Sequence, residues 1–156
     1  MVVRKAVESD IPAIYELLHF YARKRIVLER SPEDLLYYLK NFTVALADDG
    51  KLLGCVAVRD FGNDLLEVRS LVVAEAAQGT GVGRALVEDR IERLKKDRKS
   101  FRLFALTLKP KFFLRLGFRE IPQEELPEEK IWSDCKGCPK YDCCDELAVL
   151  YSWRGE

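Results

Sequence analysis

The chain has 156 residues, with 26 Lys and Arg against 26 Asp and Glu, so its formal net charge is zero. This length suits one domain with a full apolar core, and balanced charge gives no electrostatic reason to expect nucleic acid or an anionic membrane as partner. The start, Met1-Val2-Val3-Arg4-Lys5, lacks the apolar core of a signal peptide, and no apolar run approaches the roughly 20 residues that span a bilayer, so a single domain over residues 1–156 in the cytoplasm is expected.

Val2 to Val7 reads as a first strand. Ser9 or Asp10 then offers an N-cap before Ile11-Pro12, and Pro suits the first turn of a helix. Ile11, Ile14, Leu18 and Tyr21 recur at helical spacing and give that helix one apolar face. A second helix starts at Ser31-Pro32-Glu33-Asp34, with a cap, a first-position Pro and acids in the first turn. "FTVALA" and "LLGCVAV" flank Asp49-Gly50 as a hairpin. After the turn "FGND" comes the strand "LLEVRSLVV", in which alternation places Glu67, Arg69 and Leu71 on one face and Val68, Ser70 and Val72 on the other.

A glycine-rich turn follows this strand and leads into a helix whose stripe continues through Val87, Ile91 and Leu94. "FRLFALTL" is a strand, "KPKFFLRLG" a short helix stopped by Gly117, and "FREI" and "ELAVLYSW" are further strands. The order β-α-α-β-β-β-α-β-α-β-β describes an α/β domain, antiparallel early and part-parallel across the long helix.

The glycine turn, Gln78-Gly79-Thr80-Gly81-Val82-Gly83, fails two familiar patterns. Arg84 stands where a dinucleotide fingerprint needs its third glycine, the turn follows the fourth strand rather than the first, and no Gly-Lys-Ser/Thr is present. What remains is a helix N-terminus where amides lack intrahelical partners, the dipole end is positive and glycine allows an anion close approach.

"QGTGVG" after "LVV", together with "LTLKPKFFLRLGFREI", resembles the GNAT N-acetyltransferase superfamily. The resemblance extends through the element order along nearly the whole chain. It implies an acetyl-CoA N-acyltransferase fold: a mixed, mostly antiparallel sheet flanked by helices and splayed after the fourth strand. It further implies acetyl-CoA as co-substrate, with its pyrophosphate on the amides of Gln78, Gly79, Thr80, Gly81, Val82, Gly83 and Arg84, and its pantetheine arm along Leu71, Val72 and Val73. Glu67 resembles the fourth-strand glutamate that serves many members as general base; a salt-bridged strand carboxylate is the alternative. The family's thiolate acid is a Tyr in a "FY" pair before "LGF". Here the pair is Phe112-Phe113, so Phe113 replaces it beside the cofactor. Tyr141 and Tyr151 have no motif to support them in that role.

"LERSPEDL", "EVRSLVV", "LTLKPKFF" and "LPEEKIWSDCKGCPKYDCCDELAV" resemble short amino-acid acetyltransferases of the N-acetylglutamate synthase type. The acceptor this implies is a small-molecule amino acid, L-glutamate or a near analogue such as glutamine, in the first step of arginine biosynthesis. Direct transfer in a ternary complex is expected. A dicarboxylate calls for guanidinium partners. Arg30, between the first two helices, and Arg69, on the strand of Glu67, are the candidates, with Arg23 and Lys24 behind them; the alternative for each is a surface charge. His19 is expected to be structural or exposed. Four cysteines, Cys135, Cys138, Cys143 and Cys144, crowd one segment. Zinc, a redox-sensitive thiol pair and simple loop packing all remain open for them, because the adjacent last pair is awkward for a tetrahedral site. In this fold the segment lies near the acceptor side, with Trp132, Lys136, Lys140 and Tyr141. Acetylation of another amine and a non-catalytic acetyl-CoA sensor are the rival functions, and a homodimer stands beside a monomer.

Overall fold

A computed structural model describes residues 1–126 and 146–155. Its elements follow the predicted order: β1 (Val2–Lys5), α1 (Ile11–Arg23), α2 (Pro32–Tyr37), β2 (Phe42–Leu46), β3 (Leu52–Asp60), β4 (Leu65–Val73), α3 (Val82–Asp97), β5 (Ser100–Thr107), α4 (Pro110–Leu114), β6 (Arg119–Ile121) and β7 (Leu147–Arg154). The cysteine segment, with Trp132 and Tyr141, lies outside the described residues.

The seven strands form one mixed sheet in the order β1-β2-β3-β4-β5-β7-β6. β1 and β2, β2 and β3, β5 and β7, and β6 and β7 pair antiparallel, while β4 and β5 are parallel, as a connection through the long α3 permits. The parallel register covers Leu65 to Glu67 on β4 against Arg102 to Phe104 on β5. That short register fits a strand predicted to part from its successor midway. This is the predicted fold.

Two units divide the chain, parted within β3, β4 and α3. The first holds Met1–Val58 and Val68–Leu94. Its core joins Ile11, Ile14, Leu18 and Tyr21 of α1 to Leu35, Phe42, Val44, Cys55, Ala57 and Val72. Fully burying a side chain such as Ile14 or Leu18 contributes about 1.5–3 kcal/mol. α3 lies against β3 at Gly54, where a Cβ would stand 2.8 Å from the Val72 carbonyl oxygen and 3.2 Å from Val82, so only glycine fits. The second unit holds Arg59–Glu67 and Lys95–Glu156. Its core gathers Phe104, Ile121, Leu126, Ala148 and Leu150.

Local departures from the sequence reading have identifiable causes. β1 ends at Lys5 rather than Val7, because the Val7 amide turns to the Asp10 carboxylate at 2.8 Å. Neither Ser9 nor Asp10 caps α1 with its side chain. Asp10 occupies the cap position, but its carboxylate accepts a bidentate pair from Arg4 at 2.8 and 3.1 Å. A bidentate ion pair outweighs a single carboxylate–amide cap bond. Burial pushes the Asp10 carboxyl up, yet the Arg4 guanidinium and the Val7 amide outweigh it and hold it below its usual range. The alternation read through β4 breaks at Ser70, whose φ of +53° interrupts the pleat. Glu67 and Val68 are both buried, and the Cys55 thiol donates to the Ser70 carbonyl at 3.6 Å. Ser31 caps α2 as expected, its hydroxyl accepting from the Asp34 amide at 3.1 Å.

Candidate active site

In the first unit the glycine turn lies between the end of β4 and the start of α3. Gly79 and Gly81 adopt φ of +77° and +88°, a region that favours glycine, and a Cβ on either would meet nothing within 4 Å. Thr80 donates its hydroxyl to the Ala77 carbonyl at 2.5 Å, which closes the turn from within. α3 begins at Val82, so the amides of Val82, Gly83 and Arg84 fall in its first turn, where no i−4 carbonyl exists to accept them. The turn therefore has what an anion needs: unspent amides, a positive dipole end and open backbone. Arg84 is exposed and pairs with Glu88 at 2.5 Å.

On β4, Leu71 and Val73 are half-buried and Val72 is a core residue. The Val73 carbonyl accepts from the Tyr21 hydroxyl at 2.5 Å and from the Gln78 amide nitrogen at 3.4 Å. Gln78 also donates to the Tyr21 oxygen at 2.6 Å. The structure thus brings Val73 and Gln78 together through Tyr21, a residue that periodicity marks only as part of an apolar face.

Arg30 precedes the Ser31 cap, and its side chain is 12% exposed. Its Nε donates to Asp34 at 2.6 Å, and its guanidinium carbon lies 5.1 Å from the Phe42 ring centroid and 5.6 Å from that of Tyr38. Asp34 and two aromatic faces thus hold a guanidinium whose Nη edge makes no hydrogen bond among the described residues. Arg69 is half-buried on β4 beside Ser70, whose φ is positive. Lys24 pairs with Glu75 at 3.6 Å and lies over the Phe20 ring, while His19 bonds Glu29 at 3.0 Å and stacks on Tyr15.

In the second unit Glu67 is the last β4 residue in register with β5, opposite Phe104. At 2% exposure it is the one charged side chain in the buried core of the described residues. Holding a carboxylate out of water is costly, so such a position is a candidate for chemistry rather than for stability. Phe113 is 4% exposed and packs edge-on against Phe112 and Phe118. Tyr151 stacks on Phe101, and its ring lies 3.2 Å from where a Gly117 Cβ would be.

A family model for the acetyltransferase (GNAT) domain matches residues 39–120, more than half of the chain. An uncharacterized N-acetyltransferase of Chlorobaculum tepidum is 39% identical over 148 residues, which cover 95% of this chain and 94% of its own. An amino-acid acetyltransferase of Mycobacterium tuberculosis is 39% identical over 137 residues, 86% of this chain and 78% of its own. N-acetylglutamate synthase from Neisseria gonorrhoeae, solved with coenzyme A and N-acetyl-glutamate, superposes with a TM-score of 0.84 at 29% identity, over 97% of this chain and 34% of its own. This chain thus spans about a third of that synthase. The chain belongs to the GNAT acetyltransferase family and is an N-acetyltransferase that uses acetyl-CoA. Among the described residues no helix is long and apolar enough to cross a membrane.

Proposed function

We propose that this N-acetyltransferase acetylates the α-amine of a small acidic amino acid, L-glutamate before its analogues, and so serves N-acetylglutamate synthesis for arginine. The reading is carried by the likeness, at a TM-score of 0.84, to a synthase solved with coenzyme A and N-acetyl-glutamate. Bound acetyl-CoA supplies an activated acetyl thioester. Of the amides from Gln78 to Arg84, that of Gln78 bonds the Glu75 carbonyl at 3.3 Å, and those of Gly79 to Arg84 receive its pyrophosphate, which the two left-handed glycines and the first turn of α3 support. The backbone of Leu71, Val72 and Val73 lines its pantetheine arm, the Val73 carbonyl being held by Tyr21.

An ammonium cannot attack a carbonyl. Holding an amine neutral two or three units below its pKa costs about 3–4 kcal/mol. Glu67 takes up that proton, directly or through one water, and its burial supports the role. Arg30 and Arg69 receive the carboxylates of the acceptor. For Arg30 the support is its fixed orientation, since a planar fork already held by Asp34 and two rings loses little freedom on binding. Phe113 has no hydroxyl, so the leaving thiolate takes its proton from solvent or another group.

The deciding experiment is an acceptor screen that follows thiol release from acetyl-CoA. Glutamate, then glutamine, should give the highest kcat/KM among the amino acids, polyamines and N-terminal peptides offered. Equal or better turnover with a polyamine or a peptide would refute the acceptor assignment and leave the acetyltransferase itself standing.

A further inference from the structure

α1 ends where the glycine turn begins to be held. Tyr21, in the last turn of the helix, is 6% exposed and packs in the first unit's core with Ile14 and Leu18, so its ring has one position. From there its hydroxyl spends both of its capacities on one place. It donates to the Val73 carbonyl at 2.5 Å and accepts from the Gln78 side chain at 2.6 Å. Gln78 closes the triangle with a second, longer bond to Val73 at 3.4 Å. Three residues on, Lys24 pairs with Glu75 of the same turn at 3.6 Å.

We propose that Tyr21 is a positioning residue of the acetyl-CoA site: through Gln78 and the Val73 carbonyl it holds the glycine turn in the arrangement that receives the pyrophosphate. This rests on the reading of Gly79 to Arg84 as the pyrophosphate-binding turn. The physical need is plain. Gly79 and Gly81 give the turn its open backbone and also the widest choice of conformations, which binding must otherwise freeze out. Within the turn the other bonds are local: Ala77 to Ala74, Gln78 to Glu75 through the backbone, and Thr80 to Ala77. At its start the Ala74 amide reaches the Leu53 carbonyl of β3 at 2.8 Å, and Lys24 pairs with Glu75 between two exposed side chains; the Gln78 side chain ties the turn, next to its glycines, to a buried ring on α1. Burial pushes the Tyr21 hydroxyl up, the Gln78 bond draws it down in part and Glu75 adds to the rise, so the hydroxyl stays a donor at neutral pH.

The test is CoA binding by calorimetry and steady-state kinetics for the full chain and its Tyr21→Phe, Gln78→Ala, double and Gly81→Asp variants. Tyr21→Phe keeps the packed ring and removes only the hydroxyl. We expect Kd for CoA and KM for acetyl-CoA to rise about five- to tenfold, the size of one neutral hydrogen bond, with kcat and the acceptor KM within about twofold. Gln78→Ala should match it, and the double variant should be no worse than either single change, because both remove the same tether. A merely structural tyrosine would not confine the loss to one substrate. Gly81→Asp puts a negative charge on the turn at a residue type that tolerates positive φ, and it should abolish CoA binding. If Gly81→Asp loses CoA while Tyr21→Phe and Gln78→Ala do not, the tether is refuted and the pyrophosphate reading survives. If Gly81→Asp also binds CoA normally, both fall. Single losses that multiply in the double variant overturn the tether as well. Should Tyr21→Phe misfold, the exposed Gln78→Ala decides alone, and an unchanged Kd for CoA then overturns the proposal.

Discussion

Glu67 shows how much one side chain can reveal. Holding a carboxylate at 2% exposure costs solvation free energy, which makes the position a candidate for chemistry. Glu67→Gln should therefore lower kcat about a hundredfold or more, within the range of lost general-base catalysis. It should leave KM for acetyl-CoA and the melting temperature near wild type, as initial rates and a thermal scan would show. Arg30→Lys tests the acceptor side. It keeps the charge and loses the fork that Asp34, Phe42 and Tyr38 orient. KM for glutamate should rise about tenfold, as for one charge-assisted bidentate contact, with KM for acetyl-CoA unchanged. Both residues were candidates in the sequence, because strand position and neighbouring motif mark them. Tyr21 was not. Its partners lie 52 and 57 residues downstream, and a helical stripe records only that the position is apolar-facing.

Among the elements, those with local signals could be read from the sequence and those set by tertiary pairing could not. Ser31 before Pro32 and acids announced α2, and Asp49-Gly50 announced the β2–β3 turn, where Gly50 indeed has a φ of +86°. Nothing announced the φ of +53° at Ser70, since no glycine marks that place in the strand. The end of α1 is a second such place. The Ile26 amide returns to the Tyr21 carbonyl at 3.0 Å and the Arg25 amide to that of Ala22 at 2.9 Å, a Schellman closure in which Arg25 must take a φ of +59°. Glycine is the residue this position favours. Arg25→Gly should raise stability by about 0.5–1 kcal/mol, seen as a higher urea midpoint at unchanged slope. A lower midpoint would mean that the exposed guanidinium does more for the helix end than its left-handed backbone costs.

For the whole molecule, element order followed from patterning, because helical and strand periods alternate clearly along the chain. The insertion of β7 between β5 and β6 did not, since strand order depends on long-range pairing. Nor did the division into two units, which falls inside strands and leaves no linker. Each unit carries its own acid-sensitive clamp. In the first it is Asp10 with Arg4. In the second it is Asp60, which accepts from the Gly62 amide at 2.7 Å and from Arg98 at 2.7 Å. Burial raises the Asp60 carboxyl, but that amide and the Arg98 guanidinium outweigh it and hold it low. A carboxyl whose folded pKa lies below its unfolded value stabilises the fold above the unfolded value, about 3.9 for Asp. That contribution disappears as pH falls through the folded value. The urea midpoint should therefore drop below about pH 4. The drop should be shallower in the double Asp10→Asn, Asp60→Asn variant, which begins from a lower midpoint at pH 7.

Cys55 turns the depth of β3 into a clock. Its thiol is fully buried, and burial pushes it up to about 12, although Arg30 draws it down. Alkylating reagents attack the thiolate, so in the folded chain this sulfur should label only when the first unit opens. With labelling followed peptide by peptide, its rate reads the opening equilibrium of the folded protein without denaturant. Saturating CoA should slow that rate in proportion to the stabilisation it supplies, about a hundredfold at 100 times its Kd. Labelling of Cys55 at the rate of an exposed thiol, with or without CoA, would show that the strand beneath the glycine turn is open in the resting enzyme.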